Sequence, residues 1–400
     1  MTRVRNLLNA ATTGTPGRGD IGPLELLVLQ GTPFCNLDCS YCYLPDRDDQ
    51  SRMDIAVVER ALERVLQAGI VEREFTVVWH AGEPLVLGVD YYDRAIERIR
   101  GIVPDDVEVS HSIQTNGVLI DSHWCDFFKR HRIRLGLSID GPAEIHDVFR
   151  KTRNGRGTHA RLSRKLELLH SYQVPFHVIA VLTAESIRQP EAMFEYFSAL
   201  GIEQLCFNVE EIEGRNLTSK LLEQDRYASY SRFLTRFHEL REQHQAGLRI
   251  REIDGAIEAI VCWREQQDAA GPRPQENTPF KIVNVDVSGN FCTFSPELLG
   301  SRHAGYGEFQ LGNLFTTSID ECLQDPHYRK IAAAVADGVK KCRSECDYFD
   351  LCGGGSPSNK LAENNRLDSS ETAFCRLQRK ACVDVALNLL EQNLGICAEV

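Results

Sequence analysis

Short apolar runs of strand length recur along the first half of the chain, and amphipathic segments separate them. The runs are LELLVLQG (24–31), FTVVWH (75–80), VEVSHSIQT (107–115), RLGLSID (134–140), FHVIAVL (176–182) and QLCFNVE (204–210). Between the first two, DIAVVERALERVLQAG places Val58, Leu62, Val65 and Leu66 on one face, the period of a helix laid on a core. YYDRAIERIR, HWCDFFKRH, ARLSRKLELLHSY and EAMFEYFSALG fill the next gaps. This alternation predicts an α/β fold with a parallel sheet. Curled up, the six units make a partial, TIM-like (β/α)6 barrel with functional residues at the strand C-termini. A seventh amphipathic stretch, RYASYSRFLTRFHELREQ, closes this part. QQDAAGPRPQENTP (266–279) then reads as a loop or linker. IVNVDVSGNFCTF reads as a hairpin turning at SGN. The remainder is turn-rich and ends on the helix RLQRKACVDVALNLLEQ. The pattern divides the chain into a flexible tail (1–22), a barrel core (23–240), a connecting segment (241–280) and a cysteine-rich C-terminal domain (281–400).

Composition narrows the setting. The 400 residues are 42% hydrophobic and carry a net charge of -12, so neither nucleic acid nor an anionic membrane is an expected partner. No apolar run approaches the ~18 residues of a membrane span, and the N-terminus lacks an export signal. A cytoplasmic protein is expected. The roughly twenty residues before the first strand are expected to be too few for a domain of their own. Fourteen cysteines are present, crowded near the two ends; in a reducing compartment this favours metal or cluster ligation over disulfides.

The first crowd follows directly on the first strand. Cys35, Cys39 and Cys42 in PFCNLDCSYCYLPDR have spacing C-x3-C-x2-C. A structural zinc normally takes four ligands, and His80 could be recruited as the fourth. Three thiolates also suit an iron–sulfur cluster with one iron left open.

This spacing, with Tyr41 before the last cysteine, resembles the signature of the radical S-adenosylmethionine enzymes. The resemblance implies a [4Fe–4S] cluster whose open iron is chelated by the methionyl group of S-adenosylmethionine. Later motifs fall in order at strand ends. WHAGEP resembles the family's Gly-Gly-Glu-Pro, with Ala81 for the first glycine and Gly82 kept. It implies that Glu83 accepts a hydrogen bond from the cofactor ammonium. In QTNG, Asn116 resembles a residue facing the cofactor. In SIDGP and IHDVFR, Ser138 and Asp140 resemble residues facing the ribose and carboxylate, and Arg150 is placed to pair bidentately with a carboxylate. Backbone near Val181 and Leu182 would line the adenine.

In KKCRSECDYFDLCGGGSPSNK, Cys342, Cys346 and Cys352 precede a late Cys375. This resembles the SPASM extension of peptide-modifying members, which carries auxiliary clusters. Here the first spacing is one residue longer, Ser356 stands where a further cysteine would, and LGNLF (311–315) lacks another. One auxiliary [4Fe–4S] cluster, ligated by Cys342, Cys346, Cys352 and Cys375, is expected; a zinc ion suits the same four thiolates. Cys125, Cys206, Cys262, Cys322 and Cys397 read as packing residues. Cys382 reads as core, and Cys292 is undecided.

From 24 to 392 the motifs look like the GrrM-type, cyclophane-forming peptide maturases. That implies a 5′-deoxyadenosyl radical that abstracts a side-chain β-hydrogen from a ribosomal precursor peptide, followed by a C–C crosslink to an aromatic ring. The auxiliary cluster would accept an electron, and a base would take a proton. Glu210, Glu211, His80 and Asp286 are the candidate bases. A flavodoxin or ferredoxin would supply electrons. The open side of the barrel would admit the peptide, for example by strand addition. The alternatives are formylglycine formation, a thioether crosslink, epimerisation, or a non-catalytic metal-binding peptide scaffold.

Overall fold

The computed structural model describes residues 21–223, 226–263 and 272–393. The expected tail lies almost wholly outside them, as does Cys397.

Strands β1 (Leu26–Leu29), β2 (Glu74–Trp79), β3 (Glu108–Thr115), β4 (Arg134–Ser138), β5 (Phe176–Leu182) and β6 (Gln204–Val209) pair in sequence order, all parallel. Their connections carry helices α1 (Ile55–Gln67), α2 (Val89–Ile102), α3 (Ser122–His131), α4 (Ala143–Phe149), α5 (His159–Ser171) and α6 (Pro190–Ala199). Helix α7 (Tyr227–Gln243) follows β6. The pattern explains the packing. In β2, Phe75, Val77 and Trp79 are buried and alternate with less buried neighbours, the two-residue period of a strand. In α1, the Asp54 side chain caps the N-terminus and Val57, Val58, Ala61, Leu62 and Val65 face the sheet. Trp79, Tyr92, Phe127, Phe207, Phe233 and Phe237 are fully buried between sheet and helices.

The sheet is wider than six strands. Within the expected connecting segment, β7 (Arg249–Ile250) lies parallel to β6, and α8 (Arg251–Trp263) follows at once. The expected hairpin forms from β8 (Ile282–Val285) and β9 (Asn290–Thr293). Strand β8 runs parallel to β1, with Leu26 opposite Ile282, and β10 (Gly312–Asn313) adds to β9. All four residues of β8 are buried, as a strand inside a covered parallel sheet must be. The ten-stranded order is β10-β9-β8-β1-β2-β3-β4-β5-β6-β7, so the C-terminal part begins inside the core sheet.

The stretch read as turn-rich holds α9 (Ile319–Gln324) and the 20-residue α10 (Pro326–Glu345). Its start signals are in the sequence: a Ser318–Glu321 capping box, then Asp325 capping a helix with Pro326 in its first turn. Tyr328, Ile331, Ala332 and Val335 form its buried face. A short helix α11 (Pro357–Asn364) follows. The final helix is not uniform: Arg376–Ala381 is π-helical and passes into α12 (Cys382–Asn393). Among the described residues no helix is long and apolar enough to cross a membrane.

Candidate active site

Cys35, Cys39 and Cys42 sit on the loop that leaves the C-terminal end of β1. The segment after α4 holds that loop. Asp38 N–H donates to the Lys151 carbonyl (2.8 Å) and Ser40 N–H to that of Phe149 (3.1 Å). Two arginines that the sequence reading missed complete the clamp: Arg153 Nε donates to the Cys35 carbonyl (2.8 Å) and Arg47 Nη1 to that of Cys39 (3.1 Å). The three sulfurs are close enough to act on one another electrostatically. Burial pushes the Cys35 thiol up to about 12 and the Cys39 thiol to about 11. Such thiols keep their protons until a metal displaces them. Among the described residues, no three His, Cys, Asp or Glu side chains stand close enough to grip a single ion.

The loop after β2 abuts this one. Gly82 has φ +59°, and a Cβ on it would lie 2.3 Å from the Thr32 carbonyl oxygen, so only glycine fits. Ala81 has φ +71°, a left-handed conformation that costs a non-glycine residue about 1–2 kcal/mol. Glu83 is 1% exposed. Its Oε1 accepts from Thr115 Oγ1 (2.5 Å) and Leu85 N–H (3.0 Å), and its Oε2 from Asn116 N–H (2.9 Å). Burial raises its pKa, opposed by these three donors. Asn116 Nδ2 donates to Asn36 Oδ1 (2.8 Å) and lies 3.9 Å from Cys35 Sγ.

At the end of β4, Ser138 Oγ accepts from Gln114 (2.9 Å), and Asp140 is the hub. Its carboxylate accepts from Tyr41 Oη (2.5 Å), Val181 N–H (3.0 Å) and both arms of Arg150 (2.9 and 3.1 Å). The Arg150 guanidinium also covers the Tyr41 ring at 5.4 Å. Arg150 thus meets a bidentate carboxylate within the chain. Both partners are buried, and breaking such a pair costs about 3–5 kcal/mol. Leu182 ends β5. Its side chain is 0% exposed in the core, and its carbonyl accepts from Glu210 N–H (2.9 Å).

Beyond Cys42 lies a group of acids. Glu211 Oε2 accepts from Asn359 Nδ2 on α11 (2.7 Å), and the same nitrogen reaches Glu213 Oε1 (3.2 Å). Burial, then the charge of Glu297, pushes Glu211 up to about 8. Burial pushes Glu297 to about 7, and burial with the charge of Glu211 holds Glu213 well above the usual carboxylate range. Tyr43, next to Cys42 in the chain, feels the charge of these acids and of Cys42. Its hydroxyl meets His80 Nε2 at 3.2 Å, and burial holds His80 toward its neutral form. Glu210 accepts from Ser219 Oγ (3.1 Å). Asp286 is a turn residue: its carboxylate accepts from Ser288 N–H (2.8 Å), Asn290 N–H (3.0 Å) and Asn290 Nδ2 (2.9 Å). Those bonds fix the β8–β9 turn. Glu213, Glu297 and Asn359 were missed; an acid repeating at i, i+2 in EEIEG was the available sign.

Cys342, Cys346, Cys352 and Cys375 line one cavity of about 60 Å³, together with Lys360. Cys292 lies elsewhere, buried, with its thiol toward the Ser295 carbonyl (3.9 Å) and Asn284 Nδ2 (3.5 Å). Ser356 also lines this cavity, and its hydroxyl meets Ser295 (3.0 Å) and Ser358 (2.9 Å). Cys382 is buried against the Leu377 carbonyl. Cys125, Cys206 and Cys322 are buried, whereas Cys262 is exposed and is no packing residue. The open edge of β6 is closed as well. Gln378 Nε2 donates to the Phe207 carbonyl (2.6 Å), its Oε1 accepts from Val209 N–H (3.3 Å), and Glu252 accepts from Phe207 N–H (2.7 Å). These bonds engage the Phe207 N–H and carbonyl and the Val209 N–H on that edge.

The sequence model of the Radical SAM superfamily matches residues 29–197. An uncharacterized protein of Synechocystis is 38% identical, over 94% of each chain. The serine-type anaerobic sulfatase-maturating enzyme of Klebsiella aerogenes is 36% identical, over 86% of this chain and 82% of that one. The chain belongs to the radical SAM superfamily. Its fold matches the solved structure of anSMEcpe with bound AdoMet and Cp18Cys peptide, with a TM-score of 0.73 at 23% identity over 93% and 99% of the two chains. It also matches Streptococcus suis SuiB bound to precursor peptide SuiA, with a TM-score of 0.61 at 16% identity over 89% and 76%.

A radical SAM enzyme works with a [4Fe–4S] cluster and S-adenosylmethionine, and the residues present fit that pair. Three thiols on one loop leave one iron of four without a protein ligand. A carboxylate oxygen accepts two hydrogen bonds. Glu83 Oε1 is filled and Oε2 holds one donor, so one buried acceptor position remains for an ammonium.

Proposed function

We propose that this radical SAM enzyme matures a ribosomally made peptide by closing a C–C crosslink between a side-chain β-carbon and an aromatic ring. Bound at Cys35, Cys39 and Cys42, the cluster and S-adenosylmethionine would supply the carbon radical that removes the β-hydrogen atom. Ring closure then requires the peptide to lose one further electron and one proton. The observation that carries the reading is the acid group at Glu211 and Glu213. It lies next to the Cys42 loop, is tied by Asn359 to the C-terminal part, and has pKa values raised by burial and mutual charge. Once deprotonated, such a carboxylate is a competent base near neutral pH. On the Cys42 loop, the Tyr43 hydroxyl meets His80 Nε2. Cys342, Cys346, Cys352 and Cys375 would hold one auxiliary [4Fe–4S] cluster as the electron's destination.

A second reading is formylglycine formation, favoured by the 36% identity to a sulfatase-maturating enzyme. It makes the same demand for a base and an electron acceptor. Co-expression with a short peptide encoded beside the gene separates the two. The crosslink removes two hydrogens, resists fragmentation between the joined residues and leaves no aldehyde. Formylglycine at a serine removes two hydrogens but reacts with a hydrazide. Failure to produce 5′-deoxyadenosine under reducing, anaerobic conditions would sink both.

A further inference from the structure

Three cations line the cavity of the C-terminal cysteines: Lys360, Arg379 and Lys380. Arg379 reaches Glu276 (3.4 Å), and Lys380 pairs with Glu371. Lys360 is different. It is 2% exposed, its Nζ donates to Cys342 Sγ at 3.3 Å, and among the described residues it pairs with no carboxylate. The backbone makes room for it. Gly338 lies one turn before Cys342 on α10, and a Cβ there would meet the Leu367 carbonyl oxygen at 2.3 Å and Lys360 Nζ at 3.2 Å. Its neighbour Asn359 holds Glu211 and Glu213. The first turn of α11 therefore serves the acid group with one residue and the thiols with the next.

An ammonium buried without a carboxylate is costly unless another negative group offsets it. Thiolates bound to a cluster are such a group, and Lys360 Nζ lies 3.3 Å from the Cys342 sulfur. We propose that Lys360 is a positioning residue that fixes a positive charge on the Cys342 sulfur and raises the reduction potential of the auxiliary cluster. The potential of a cluster follows its net charge and the hydrogen bonds to its sulfurs. A cluster held by the four thiols would offer a destination for the one electron that the closing peptide radical loses, and Glu211 and Glu213 would take the proton.

The proposal rests on the reading of the four cysteines as an auxiliary [4Fe–4S] site. Parent, Lys360→Met, Lys360→Gln and Lys360→Arg proteins, reconstituted anaerobically, are titrated electrochemically with electron paramagnetic resonance detection, and iron is counted. Expected is a shift to more negative potential in Lys360→Met and Lys360→Gln. Lys360→Arg should stay near the parent, and the cluster at Cys35, Cys39 and Cys42 should be unmoved in all. Loss of the auxiliary cluster from Met and Gln but not Arg would equally support a required cation. An unshifted potential in Met and Gln with full iron overturns the proposal, as does cluster loss from all three. A parent with about four irons rather than about eight overturns the cluster reading and this proposal with it.

Discussion

Negative charge is the unusual expense among single side chains here. Glu83 and Asp140 are each met by several donors, whereas Glu211 and Glu213 share one asparagine amide, with the charge of Glu297 acting on both. The consequence is a pH dependence with a definite sign. Glu211 has a folded pKa of about 8 against an ordinary 4.5, so between those values the folded chain binds a proton that the unfolded chain has released. Stability is then fully present below about pH 4.5 and falls as pH rises toward about 8. Glu213 and Glu297 act in the same direction. Glu211→Gln removes one titrating group, so the decline in denaturation midpoint over that window should flatten. An unchanged slope would mean that Glu211 ionises normally in the fold. The nearby Cys35, Glu83 and Asn116 were legible because they stand in compact motifs at strand ends. Asn359 and Lys360 were not, because their partners come from elements more than a hundred residues away or across a helix, which no local pattern encodes.

The π-helical segment shows what an irregular element accomplishes. It follows directly on Cys375 and carries Gln378, whose amide satisfies one carbonyl and one N–H of β6 as a neighbouring strand would. π-Helical turns concentrate at sites under functional constraint. Here the wider turn joins a cysteine of the C-terminal cavity to the rim of the barrel. Gln378→Ala should strand those buried groups at about 1–3 kcal/mol, and hydrogen exchange at Val209 N–H should quicken well beyond that at β3. Equal protection in both proteins would show that another group covers the edge. The six core strands were readable from alternation, to within two residues at each end. The two-residue β7 was not, since such a strand exists only through its neighbour. The missed helix α10 had sound capping signals, but flanking cysteines and glycines hid its apolar face.

At the scale of the whole molecule, the division into barrel and C-terminal domain is weaker than the sequence suggests. Pattern can announce a hairpin at 282–293, but it cannot say which strand the hairpin joins, and the answer decides how the molecule holds together. Strand β8 pairs with β1 over Leu26–Leu29, so the strand that launches the Cys35 loop is flanked by β2 on one side and by the C-terminal part on the other. Truncation after residue 280 would leave the β1 edge bare beside apolar Leu27 and Leu29, which are 0% exposed in the intact chain. An uncovered, apolar edge recruits other chains. The shortened protein should therefore aggregate, or bind less iron at Cys35, Cys39 and Cys42 than the full chain does. Full-length protein should unfold in a single transition that includes both cysteine groups. A monodisperse 1–280 fragment with undiminished iron at the first site would show that the barrel stands alone. If instead the fragment fails while Cys342→Ser in the full chain leaves the first cluster intact, the dependence lies in the shared sheet. The two redox sites would then be held in fixed relation by β8 and α11, as a single-electron hand-over between them requires.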